Sequence, residues 1–237
     1  MATTTKGTKA KSGKAKRMTE AEEWEFVKGK VRDNAAELKA MTRPKELLDW
    51  AKSNGLDTGW LFKKFKAELR KQLYLDYDEL RATALEKAKQ EIAEHAAAGP
   101  LITLWSAGDA EVDSYAICAE NGDVAWYNTF YDDDKVDDQT SADIAAAQKA
   151  IWLAGKVREE VGADAARLAL TVSNHEVQAA DPKLATAAVK AHLVVEIEIS
   201  DDVNPALEWC QTPGFQRWQE FRLTDAITDE TGNEVED

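Results

Sequence analysis

Carboxylates are the side chains of this sequence best suited to do chemistry. Two-metal phosphoryl transfer needs several of them converging on ions about 4 Å apart, and the second half of the chain offers Asp109, Glu111, Asp113, Asp143 and Asp181. The run Asp132-Asp133-Asp134-Lys135-Val136-Asp137-Asp138 also invites a hard cation such as calcium, which takes clustered carboxylate oxygens. It lacks the EF-hand spacing and that motif's sixth-position Gly, so it reads as a solvated loop. His95, His175 and His192 stand apart from one another and from any Ser or Cys nucleophile pattern, which leaves a nucleophile-His-acid triad without support. Cys118 and Cys210 have no Cys or His neighbour at metal-ligand spacing, so neither zinc nor a disulfide framework is expected. No Gly-rich loop is present to cradle a phosphate. The remaining chemistry is basic: Lys63, Lys64, Lys66, Arg70 and Lys71 crowd one segment, and Lys14, Lys16 and Arg17 stand near the start. Such groups suit phosphate contacts.

The charge is divided along the chain. Residues 1–17 carry six bases and no acid, residues 18–99 carry 15 bases against 16 acids, and residues 100–237 hold 9 bases against 28 acids. Attraction to phosphate therefore belongs to the N-terminal half, while the C-terminal half repels polyanions and suits a basic protein partner, or serves only solubility. The first residues are polar rather than a charged start followed by an apolar core, and no apolar run reaches the roughly 18 to 20 residues of a membrane span. A cytoplasmic protein with no membrane partner is expected. At 237 residues and 44% apolar content, the chain can bury one generous core or two small ones.

The elements that must position these groups follow from periodicity. Residues 1–17 have almost no apolar content and read as a disordered basic arm. Thr19 with Glu22 forms a capping-box pattern ahead of Trp24, Val27, Val31, Ala35 and Leu38 at helical spacing. Pro44 and Asn54-Gly55 bracket a second helix, Leu61, Phe65 and Leu69 mark a third, and Asp76 to Ala98 a fourth. Gly99-Pro100 stops that helix and is taken as the domain boundary. Beyond it the period alternates. Leu101–Trp105, Ser114–Ala119 and Val124–Tyr131 read as strands, the last two joined by Asn121-Gly122 in a type I′ turn. Ser141–Val161 reads as a helix, Arg167–Val172 as a strand, Pro182–Ala191 as a helix and Leu193–Ile199 as a strand. A closing helix carries Phe215, Trp218 and Phe221, and an acidic tail covers 224–237. Most of the eight Trp fall on buried faces in this reading. The expected class is α/β (α+β overall): a helical module over 18–99, then a mixed five-stranded sheet with flanking helices over 100–223.

That order, three strands in a meander and then helix, strand, helix, strand and helix, resembles the ribonuclease H-like superfamily over about residues 101–222. Leu104-Trp105-Ser106-Ala107-Gly108 looks like the end of that family's first strand, where an Asp precedes a Gly; Ala107 stands in its place. Asp143-Ile144-Ala145-Ala146-Ala147 matches the acid that opens the family's main helix. Leu170-Thr171-Val172-Ser173-Asn174 puts Ser173 or Val172 at the third acid. Asn204, with Asp201 or Asp202, stands near the last. The resemblance implies a degenerate metal site in which Asp143 alone survives, vestigial or part of a displaced set. Asp143 is equally a negative group near a helix N-terminus, where the dipole favours it. Asp109-Ala110-Glu111 offers the Asp-x-Glu pair of the related proofreading exonucleases, but Gly108 and Asp109 read as a turn after the strand rather than part of it.

Residues 44–71 resemble a helix-turn-helix more loosely, with Gly55 in the turn and Leu56 and Leu61 as anchors, although Asn54 and Lys64 stand where apolar residues are usual. The expected function is that of a non-catalytic nucleic-acid-associated protein. Its arm and helical module, through Lys14, Lys16, Arg17, Lys63, Lys64, Lys66, Arg70 and Lys71, contact DNA or RNA, and the acidic domain serves as a docking or assembly platform without a cofactor. Two alternatives stand beside it: a magnesium-dependent nuclease with a displaced acid set, and an acidic module that captures a basic protein.

Overall fold

A computed structural model describes residues 18–200 and 204–228. Lys14, Lys16, Arg17, Asp201, Asp202 and the end of the acidic tail lie outside the described residues. The chain divides into two compact units, residues 1–84 and 85–237.

The first unit is helical. Thr19 caps α1 (Glu20–Asp33) through the expected box: its backbone N–H donates to Glu22 at 2.7 Å and its hydroxyl accepts from the Glu22 N–H. Asn34 then breaks the stripe, and Ala35 and Leu38 ride on a separate short helix, α2 (Ala35–Ala40). Pro44 opens α3 (Pro44–Ser53). Gly55 ends it at φ +69°, a left-handed conformation that lets the Leu56 N–H return to the Ala51 carbonyl at 2.8 Å. The next helix, α4 (Gly59–Glu68), runs into a π-helical turn, Leu69–Leu73, which stops at left-handed Tyr74. Val27, Val31, Leu38, Leu47, Leu56, Phe65 and Leu69 are fully buried and form one core.

Helix α5 (Tyr77–Ala96) crosses the division between the units. Gly99-Pro100 does follow its end, but the compact units part inside the helix. The physical reason is that Ile92 and Ala96 pack with Ala165, Val189 and Val194 of the second unit.

The second unit is built on a mixed sheet in the order β3-β2-β1-β4-β5. Strands β1 (Leu101–Asp109), β2 (Ser114–Ala119) and β3 (Val124–Thr129) form the antiparallel meander. β4 (Ala166–Val172) runs parallel to β1, and β5 (Leu193–Ile199) parallel to β4. Helices α6 (Gln139–Glu160) and α7 (Pro182–Ala191) supply the crossovers. Ile102 and Leu104 of β1 and Leu168 and Leu170 of β4 meet Ala147, Ile151 and Ala154 of α6 in the main core. The other face of β1 and β2 meets α8 (Pro205–Cys210) through Ala107, Ala116, Cys118, Ala206 and Cys210. Glu196 and Glu198 of β5 face solvent, as their alternation predicts.

Four expectations are corrected. β1 extends to Asp109, because Ser114 pairs opposite it and the chain reverses within 110–113. The β2–β3 connection is not type I′: only Gly122 takes positive φ (+86°), while the Asn121 side chain accepts from the Asp123 N–H at 3.0 Å and fixes a wider turn. Phe215, Trp218 and Phe221 do not share a helix but surround 3-10 turns, Trp218–Glu220 and Leu223–Ala226. Finally, residues 224–228 belong to the fold, since β6 (Ile227–Thr228) pairs with the start of β1 and makes the sheet six-stranded. The Trp residues are also less buried than expected: Trp50 is buried, but Trp60 and Trp152 are 52% and 41% exposed.

Candidate functional site

Asp143 sits on the first turns of α6, held against the end of β1 by small residues. A side-chain carbon at Gly108 would overlap the Ala142 carbonyl, so Gly at this position is what allows helix and strand to meet. Here the Gly108 N–H donates to Asp143 Oδ1 at 3.1 Å. Gln139, one turn earlier on α6, donates through Nε2 to Asp143 Oδ2 at 3.1 Å and to the Gly108 carbonyl at 2.7 Å. Asn174, just past β4, donates through Nδ2 to Asp143 Oδ2 at 2.9 Å. Asp143 is thus buried, with its acceptor sites directed at N–H groups from β1, α6 and the loop after β4.

The other described positions of the pattern expected from the sequence, Ala107, Ser173 and Asn204, carry neutral side chains. Ala107 points to the opposite face, where the Cys210 thiol donates to its carbonyl at 3.3 Å. Asn204, 1% exposed, donates to the Ser106 carbonyl at 3.0 Å and caps α8 by accepting from the Ala206 N–H. The Ser106 and Ser173 hydroxyls are buried without a hydrogen-bond partner among the described residues. Among the described residues of that pattern Asp143 is the single carboxylate, which is fewer than a two-metal set needs, and a cation there would first have to displace its amide donors. Among the described residues, no three His, Cys, Asp or Glu are arranged to hold a metal ion.

The remaining acids have local work. Asp109 lies at the end of β1, not in the turn where it was expected, and accepts from the Glu111 and Val112 N–H groups at 2.8 and 3.1 Å. Asp181 caps α7 through the Lys183 and Leu184 N–H groups. Asp138 caps α6, and its bonds from Ser141 hold its carboxyl below the usual carboxylate range. Within the acidic run, Asp134 pairs with Lys149 at 2.9 Å, and the Lys149 ammonium lies 4.7 Å from the Tyr115 ring centre and 5.1 Å from that of Tyr131. Cys118 and Cys210 are free and buried, and burial pushes both thiols up to about 12.

The basic segment divides on folding. Lys63 and Lys71 are exposed and make no ion pair among the described residues. Lys66 pairs with Asp78 at 2.9 Å, and Arg70 lies 3.5 Å from Asp76. Lys64 is corrected: it is 7% exposed, pairs with buried Glu23 at 2.6 Å, and lies 5.5 Å from the Trp24 ring centre. The reason is helical geometry, because position 64 shares the inward side of α4 with Leu61, Phe65 and Glu68. The expected helix-turn-helix segment forms two helices joined by residues 54–58.

Sequence reasoning missed Gln139 and Asn174. The first stands four residues before Asp143, on the same helical face, and the second directly follows Ser173; either could have been read as a neutral replacement for a charged neighbour. No helix among the described residues is long and apolar enough to cross a membrane. Comparison with family models, with curated proteins and with solved structures gives no match.

Proposed function

We propose that this is a non-catalytic nucleic-acid-associated protein, intracellular, with a degenerate ribonuclease H-like second unit that serves as a docking platform. The element order and the three-strand meander followed by parallel β1, β4 and β5 support the family reading. The observation that carries the non-catalytic reading is the set of amide donors, from Gly108, Gln139 and Asn174, that occupies Asp143. Binding to DNA or RNA falls to Lys63 and Lys71, to the weakly held Arg70, and to Lys14, Lys16 and Arg17 of the arm. The free, buried cysteines agree with an intracellular setting.

The test is titration of the full chain against labelled duplex DNA, single-stranded DNA and RNA over a range of salt. Binding should weaken steeply with salt, and Lys63→Glu with Lys71→Glu should flatten the salt slope by about 1 for each phosphate that is no longer neutralised. Absence of binding at low salt removes the nucleic-acid reading. Cleavage dependent on magnesium or manganese and abolished by Asp143→Asn replaces it with the nuclease.

A further inference from the structure

The second unit carries an aromatic surface that neither the Asp143 site nor the basic helix uses. Trp126, Tyr131, Phe215 and Trp218 line a groove of about 450 Å³ beside the β3 edge, together with Asn128 and Gln219. Tyr131 and Phe215 are 56% and 58% exposed. The rings pack on one another. Trp152 lies 5.5 Å from Trp126 and 5.4 Å from Trp218 between ring centres, and Arg217 lies 5.8 Å from the Phe215 ring centre. Tyr131 also forms a wall of a second pocket, whose charged lining is three carboxylates, Asp113, Asp132 and Asp137, against one ammonium, Lys135.

We propose that this pair of pockets docks an extended, proline-containing basic segment of a protein partner. This rests on the platform half of the function proposed above and gives it a ligand. The groove has no carboxylate and one cation, Arg217, in its lining, and each of its polar side chains, Trp126, Asn128, Tyr131, Arg217, Trp218 and Gln219, carries at least one hydrogen-bond donor. A proline-rich strand fits such a wall because it presents unpaired carbonyls, lacks N–H groups at its prolines, and lays flat rings on aromatic faces. The adjoining carboxylates, in a half of the chain with 28 acids against 9 bases, then select an Arg or Lys next to the prolines and disfavour a polyanion.

The experiment uses the full chain and three fluorescein-labelled probes: a short polyproline peptide ending in two Arg, the same peptide ending in two Glu, and an oligo-dT strand. Anisotropy should show saturable binding of the Arg peptide, at least tenfold tighter than the Glu peptide. Phe215→Ser should weaken the Arg peptide at least tenfold. Asp132→Asn with Asp137→Asn should erase the preference for Arg over Glu while leaving proline binding in place; both variants change exposed side chains, and circular dichroism checks their folds. The proposal is overturned if the Arg peptide does not saturate, if the Glu peptide binds equally, if Phe215→Ser has no effect, or if oligo-dT binds in the groove and is displaced by Phe215→Ser. Nucleic-acid binding that responds only to Lys63 and Lys71 is a separate result, so either reading can fail without the other.

Discussion

Glu23 in the helical unit and Asp143 in the sheet unit are both 9% exposed, yet the fold satisfies them in opposite ways. Glu23 meets a full positive charge, Lys64, at 2.6 Å across α1 and α4. Among the described residues, Asp143 meets neutral N–H groups alone, and they come from β1, α6 and the loop after β4. An ion pair can be exchanged for apolar side chains of similar volume, because its Coulomb gain only offsets its desolvation. A carboxylate with several fixed amide donors has no such substitute, since no other side chain of that size accepts from all of them. The helical unit therefore holds an exchangeable bridge, and the sheet unit holds a junction that fixes where three elements meet.

The largest effect that could break this contrast is at Gly108. Alanine there drives a carbon into the Ala142 carbonyl, which is backbone and cannot step aside without moving α6. Gly108→Ala should lower stability by more than about 4 kcal/mol, beyond ordinary overpacking. Urea denaturation followed by tryptophan fluorescence measures this. A midpoint near that of the parent protein would mean that α6 is free to shift and that the junction is not fixed.

Next comes the ion pair. Glu23→Ala alone leaves Lys64 buried without its partner and should cost about 3 kcal/mol, whereas Glu23→Leu with Lys64→Met should fall within about 1 kcal/mol of the parent. The same denaturation series reads both. If the double variant is as damaged as the single one, the bridge is not exchangeable and the contrast with Asp143 closes.

Asp143→Asn should cost about 2 kcal/mol. In either orientation its new NH2 group would confront a donor, the Gly108 N–H on one side or the Gln139 and Asn174 amides on the other. A neutral outcome would show that the donors reorient freely, in which case a cation could displace them just as well.

How much of this was legible depended on whether the signal was local. The Thr19–Glu22 cap, the Pro44 and Gly55 brackets, and the limits of β2, α7 and β5 follow from neighbours in sequence, and the structure places them where those neighbours predict. Asp143 was legible as a marked acid because it opens an alanine-rich run on α6. Its donors were not, because Gly108 and Asn174 reach it across 35 and 31 residues. Lys64 was misread for a related reason. The basic segment looks uniform along the chain, and only the rotation of α4, with Phe65 in the core, decides which lysines point inward. At Phe215 and Trp218, helical spacing suggested a helix, but Gln216 instead bridges Tyr127 of β3 and holds the segment extended. That tertiary pairing overrides local periodicity.

The smallest expected effect concerns Cys118 and Cys210, which share the apolar layer between β1, β2 and α8 on the side of β1 away from Asp143. Burial pushes both thiols up to about 12, with the Cys210 and then the Asp123 charge adding to Cys118, and the Asp109 and then the Asp143 charge adding to Cys210. The neutral thiol is therefore the form the fold accepts. In the unfolded chain a thiol ionises near 8.5, so between that value and about 12 the folded state binds more protons than the unfolded one. Stability then falls as pH rises through this window and is unaffected by these groups below it. At pH 8 a thiol reagent such as Ellman's should leave both cysteines unreacted in the native protein and modify both in urea. Denaturation midpoints should drop between pH 9 and pH 11, and Cys118→Ala with Cys210→Ala should remove part of that drop. Rapid modification of the native protein would mean that the α8 layer opens readily, leaving this end of β1 to its pairing with β2 and the junction at Asp143.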